Sequence, residues 1–106
     1  MKPDAVRGHV DLLLLAAVRD RPGHGYALIQ ELRRRSGGEL DLPEGTVYPA
    51  LHRLERAGLV TSAWSTAEGA RRRRVYTLTP LGGTKLAKEV AEWTRLVGAV
   101  EAIVGT

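Results

Sequence analysis

Two clusters of side chains in this chain could do chemistry, and both are rich in hydrogen-bond donors suited to anions. The first lies in the stretch 43–60, PEGTVYPALHRLERAGLV, where Thr46, Tyr48, Pro49, His52, Arg53 and Arg56 share one side. The second is a run of four arginines, Arg71, Arg72, Arg73 and Arg74. Hydroxyls, an imidazole and guanidiniums suit phosphate oxygens and base edges, and the forked guanidinium matches phosphate and guanine in particular. Catalytic chemistry is not indicated. The chain has no cysteine, which excludes disulfides, thiolate metal sites and cysteine nucleophiles. It shows no phosphate-cradling glycine loop and no close Ser/His/Asp set, so neither an enzyme nor a cofactor is implied. His9, His24 and His52 lack the spacing with acids that marks a metal site.

The first cluster needs a helix to present it. Val47, Leu51 and Leu54 recur at i, i+4 and i+7 with Ala50 and Ala57 beside them, one apolar stripe opposite the polar face. Gly58 supplies the residue at which such a helix ends. Pro49 fits in two ways: Thr46 is the N-cap and Pro49 the third helical residue, or the helix starts near Glu44 and kinks at Pro49. Both put Thr46, Tyr48 and Pro49 at an exposed helix N-terminus, where phosphate binds well. Arg56 lies near the helix end, where a cation is favoured anyway.

Upstream, residues 5–19 read as a helix whose stripe is Val6, Val10, Leu13, Leu14, Ala17 and Val18. Leu12 and Leu15 fall outside that stripe, so this helix is either central or covered by another subunit. Arg21 to Gly25 breaks the pattern, a second helix follows over Tyr26 to Arg35, and a short turn leads into the third. That is helix-turn-helix order. Downstream, Leu59 to Thr66 and Val75 to Thr79 read as two strands of a hairpin whose loop contains Gly69. The four arginines fall near its tip, and strand alternation lets at most two of them face one side. Tyr26 and Tyr76 read as packing residues. The pattern is α+β, a winged helix-turn-helix, with a wing that reaches the DNA backbone or minor groove.

Length and charge agree with this. A chain of 106 residues suits one domain with a modest core that benefits from a partner. The net charge of +4 resides in residues 1–80, with 13 basic and 9 acidic residues; residues 81–106 carry three of each. A polyanion partner therefore belongs to the first three-quarters. The apolar run Leu12 to Leu15 is far too short to span a membrane and no secretory signal precedes it, so a cytoplasmic protein is expected.

The stretch TVYPALHRLERAGLV, then Trp64, then GARRRRVYTLTPLG, resembles the PadR family of bacterial transcriptional regulators, and GHGYALIQEL at 23–32 is similar to the family's second-helix segment. The likeness runs from about residue 10 to the C-terminus. It implies a homodimeric winged-helix repressor of the short subgroup, with a single C-terminal helix, binding double-stranded DNA. The pattern departs from the family's at Gly82-Gly83, and glycine costs about 1 kcal/mol in a helix interior, so the sequence leaves open where the last helix begins.

That last segment carries its own signal. Leu86, Val90, Trp93, Val97, Val100 and Val104 are spaced 4, 3, 4, 3, 4, a short heptad seam. With residues 1–80 as the DNA-binding domain, residues 81–106 read as a dimerisation helix. The expected interface comprises Leu12, Leu15, Leu86, Val90, Trp93, Val97, Val100 and Val104. Trp93 is first of all a large core residue. The resemblance adds that tryptophans paired across a dimer centre hold flat aromatic effectors, which would place Val90, Trp93 and Val97, with residues of the first helix, around a planar small molecule. The DNA-binding set is Thr46, Tyr48, Pro49, His52, Arg53, Arg71, Arg72, Arg73 and Arg74. The competing reading is a winged helix that binds an acidic protein partner instead of DNA.

Overall fold

Leu14, Leu15 and Val18 on one helix and Val47, Leu51 and Leu54 on another form the centre of the core, each at most 2% exposed. The computed structural model describes residues 6–65 and 72–105. Its elements are α1 (Val10–Asp20), α2 (Gly25–Arg35), α3 (Glu44–Arg56), β1 (Val60–Ser65), β2 (Arg73–Leu78) and α4 (Pro80–Val104). This α+β order is the winged helix-turn-helix expected, followed by one long C-terminal helix. No helix among the described residues is long and apolar enough to cross a membrane.

α1 begins at Val10, later than the periodicity suggested, because residues 6–9 close a turn in which His9 N–H donates to the Val6 carbonyl at 2.8 Å. It is the central helix, packed against α2, α3, α4 and β2. Leu15 consequently belongs to the chain's own core, which corrects its assignment to a dimer interface; Leu12 is half-buried against that core. The ends of α1 and α2 are tied by Asp20, which accepts from Arg35 Nη1 at 2.6 Å. Hydrogen bonds from Arg19 and Arg35 hold the Asp20 carboxyl at about 2.

α3 starts at Glu44, the second of the two placements, so Pro49 is interior and cannot donate to the Gly45 carbonyl. Gly45 is exposed, so water can reach that carbonyl, which limits the cost. The helix ends in a paired cap: Leu59 N–H donates to the Leu54 carbonyl and Gly58 N–H to the Glu55 carbonyl, with Gly58 at φ 78°.

β1 and β2 pair antiparallel, from Val60 opposite Leu78 to Ser65 opposite Arg73. The α1–α2 connection is more than a break. Gly23 exchanges two backbone hydrogen bonds with Tyr76, at 2.9 and 3.2 Å, and so pins the second strand of the wing to the helices. The wing tip, with Gly69, Glu68 and Arg71, lies outside the described residues.

α4 runs through Gly82-Gly83 because its start is capped. Thr79 Oγ1 accepts from Gly82 N–H at 2.9 Å and donates to the Gly58 carbonyl at 2.6 Å, and Pro80 takes the first helical position. The helix then passes so close to the end of α3 that a Cβ on Gly82 would lie 2.0 Å from the Leu59 carbonyl oxygen. Leu86 is 3% exposed within the chain's own core, so it too leaves the expected interface. Beyond it Val90, Trp93, Leu96, Val100, Ile103 and Val104 are all exposed.

Candidate nucleic-acid interface

α3 turns one face inward through Val47, Ala50, Leu51 and Leu54. That leaves Tyr48, Pro49, His52, Arg53 and Arg56 exposed and Thr46 half-buried. The 3.6-residue period decides this division, and it makes a row of donors along one side of the helix. Tyr48 is held in place by what is missing opposite it. A Cβ on Gly25 would lie 2.5 Å from Tyr48 Cε1, so the tyrosine ring rests on the bare backbone at the start of α2. The sequence marked Gly25 only as a helix breaker; nothing local to it signals the ring 23 residues away.

The wing arginines divide as strand alternation requires. Arg74 sits opposite Trp64 across the hairpin. The Arg72 and Arg74 guanidinium carbons lie 5.1 and 5.2 Å from the centre of the Trp64 ring, cation–π distances that hold both side chains near one aromatic platform. Arg74 Nε also donates to Ser62 Oγ at 2.7 Å, and Ser62 Oγ donates to Glu55 Oε2 at 2.7 Å, linking the wing to α3. Arg73 is directed toward α2, with Nη1 2.7 Å from His24 Nε2. Arg71 lies outside the described residues.

His24 caps α2: its Nδ1 accepts from Ala27 N–H at 3.2 Å. Burial, and then the neighbouring Arg73, push its pKa below the ordinary 6.5. A neutral ring has a single acceptor nitrogen, for which Ala27 N–H at Nδ1 and Arg73 at Nε2 compete, and a phosphate oxygen in the cleft would give Arg73 a further acceptor. These groups border a cleft of about 550 Å³ between the wing, the start of α2 and the start of α3, with Tyr48 and Trp64 among its walls. Tyr76 is 4% exposed at its base, where burial and then Glu55 raise the phenol pKa, so the hydroxyl stays neutral. Tyr76 is thus the packing residue expected. Tyr26 is not: it is 51% exposed at the mouth of the same cleft.

Arg53 stands on the opposite flank of α3, where its Nη2 donates to Asp11 Oδ1 at 2.6 Å. Among the described residues no group of three or more His, Asp or Glu comes together to hold a metal ion.

A separate feature lies where α1 meets α4. His9 packs edge-on against Trp93, with ring centres 5.0 Å apart. The two border a cavity of about 200 Å³ whose further walls include Leu12 and Leu96. Val90 and Val97, expected beside Trp93, do not line it.

Comparison with known proteins agrees with the geometry. Residues 14–88 match the model of the transcriptional regulator PadR-like family. The chain is 41% identical over 83 residues to the transcriptional regulator Rv3488 of Mycobacterium tuberculosis, spanning 78% of this chain and 74% of that protein. Among solved structures, a PadR family transcriptional regulator from Eggerthella lenta is 31% identical with a TM-score of 0.83, covering 97% of this chain and 88% of that one. A transcriptional regulator from Clostridium thermocellum is 26% identical with a TM-score of 0.88, covering 98% of both chains.

Proposed function

The chain belongs to the PadR-like family and is a DNA-binding transcriptional regulator, not an enzyme; on that premise we propose that it is a cytoplasmic homodimeric repressor that occupies a palindromic operator. The observation that carries this reading is the exposed row on α3 flanked by the arginine-bearing wing. In each protomer Pro49, His52 and Arg53 enter the major groove, and Thr46 and Tyr48 meet the backbone at its edge. Arg71 to Arg74 anchor the wing on phosphate or in the minor groove.

The α4 segment supports the dimer. Beyond Leu86 its apolar side chains Val90, Trp93, Leu96, Val100, Ile103 and Val104 stay exposed despite the Trp93 contact with His9, residues 81–106 carry no net charge, and a second copy related by a two-fold axis would bury this face. Residues 81–106 are on this reading the dimerisation helix of a winged domain in residues 1–80. The axis sets two recognition helices roughly 34–36 Å apart, one helical turn of DNA. A flat aromatic effector seated against Trp93 and His9 would shift α1 relative to α4 and lower operator affinity.

The test is a salt-series titration of a duplex selected by the protein from a random-sequence library, against a scrambled duplex of the same composition. Selective binding with a steep salt slope, and loss of selectivity in Arg53→Ala, is the expected result. Binding that ignores sequence and salt would instead favour an acidic protein as the partner.

A further inference from the structure

Asp11 stands in the first turn of α1, yet its carboxylate reaches the outer flank of the recognition helix. The Asp11–Arg53 pair borders a cavity of about 300 Å³ whose walls include Thr46 and Ala50 from α3 and Val10 from α1. The side chains are 57% and 44% exposed for Arg53 and Asp11, so the pair contributes little to stability. Its geometry is better suited to another task. α1 buries Leu14, Leu15, Ala17 and Val18, which makes it a rigid mount, while Arg53 is long and otherwise free to rotate. The contact uses one nitrogen, Nη2, and leaves four of the five guanidinium N–H donors for a base edge.

We infer that Asp11 is a positioning residue that orients Arg53 toward a base and makes it a poor ligand for phosphate. A lone arginine beside DNA is drawn to the nearest phosphate, whatever the sequence. A carboxylate at hydrogen-bond distance offsets that attraction, because it repels phosphate and already satisfies part of the charge. It also fixes the plane of the fork before DNA arrives, so less freedom is lost when a base is met. Specificity therefore rises at the cost of general affinity. This rests on the reading that Arg53 meets a base. The residues themselves are 42 apart in sequence and are brought together only by the packing of α1 on α3.

The experiment selects a duplex from a random library with the wild-type protein. Binding to that duplex and to its scrambled form is then measured for Asp11→Ala, Asp11→Asn, Arg53→Ala and the Asp11→Ala/Arg53→Ala double variant. Asp11→Ala is expected to lower the selected-to-scrambled ratio about tenfold, through one base step per half-site and mainly by tighter binding to the scrambled duplex. Asp11→Asn, which keeps an oxygen acceptor, should fall between Ala and wild type. In the Arg53→Ala background the Asp11 substitution should leave the ratio unchanged. The inference is overturned by an equal fold-change in both backgrounds, by Asn behaving as Ala, or by an intact ratio in Arg53→Ala. Failure of the wider reading looks different: the wild-type protein would select no sequence at all.

Discussion

Arg73 and Arg74 are neighbours in sequence and opposed in space, and that opposition governs what each can do. Arg74 is tied to Ser62 and rests on Trp64, whereas Arg73 lies 2.7 Å from Nε2 of His24, whose other ring nitrogen faces the Ala27 N–H. Both guanidiniums are therefore oriented, Arg74 through its Nε and Arg73 through its Nη1, and each has further N–H donors to offer phosphate. Replacing both with alanine should weaken binding to all duplexes alike and reduce the slope of log affinity against log salt by about two units, near 0.9 for each lost phosphate contact. Fluorescence anisotropy over a salt series measures this. Arg73→Ala alone should account for about half the change. At this scale the sequence displayed the donors but hid their partners. Tyr48 on Gly25, Arg73 beside His24 and Arg53 on Asp11 all join different elements, and no local spacing encodes such pairs.

Among the elements, the joint between α3 and α4 is the most constrained. Thr79 caps α4 and holds the end of α3 through the Gly58 carbonyl, and Gly82 lets the helix pass against the Leu59 carbonyl. Thr79→Ala should cost about 1–2 kcal/mol, the usual loss of an N-cap with its hydrogen bonds. The two adjacent glycines should respond with opposite signs. Gly82→Ala forces a Cβ into backbone and should destabilise the fold by about 1–3 kcal/mol or more. Gly83→Ala meets only Leu78 Cδ2 at 3.9 Å, an ordinary contact, and should stabilise the helix by up to about 1 kcal/mol. Urea denaturation of the three variants decides the matter. From sequence alone Gly82-Gly83 looked like a weak point at an uncertain helix start. Packing makes the first glycine obligatory and the second replaceable.

For the whole molecule, assembly turns on the exposed side of α4. The long axis of the structure is 53 Å, against 29 and 20 Å across, and six exposed large apolar side chains, Val90, Trp93, Leu96, Val100, Ile103 and Val104, lie beyond Leu86 on this helix. If a second copy covers them, Val100→Asp should give a monomer by sedimentation velocity while leaving the winged domain folded. Operator affinity should then fall by at least a hundredfold, because two linked half-sites become two independent ones. A wild-type protein that sediments as a monomer at micromolar concentration would remove the two-fold axis and with it the palindrome.

The sequence by itself determined the element types and their order, because hydrophobic period, glycine and proline placement and strand alternation are local properties of the chain. It also identified the polar face of α3 and the arginine run, since donors on a helix face are legible from a 3.6-residue period. Tertiary structure alone decided which apolar residues were spent inside. Leu15 carries the same pattern as half-buried Leu12 and Leu86 the same as exposed Val90, yet the packing of α1 and the first turns of α4 consume them. It also decided that the α1–α2 break becomes a partner of the wing, and that a carboxylate from α1 stands beside Arg53. Each of these depends on where distant backbones cross, which is set by the volume of the whole core and not by any stretch of sequence.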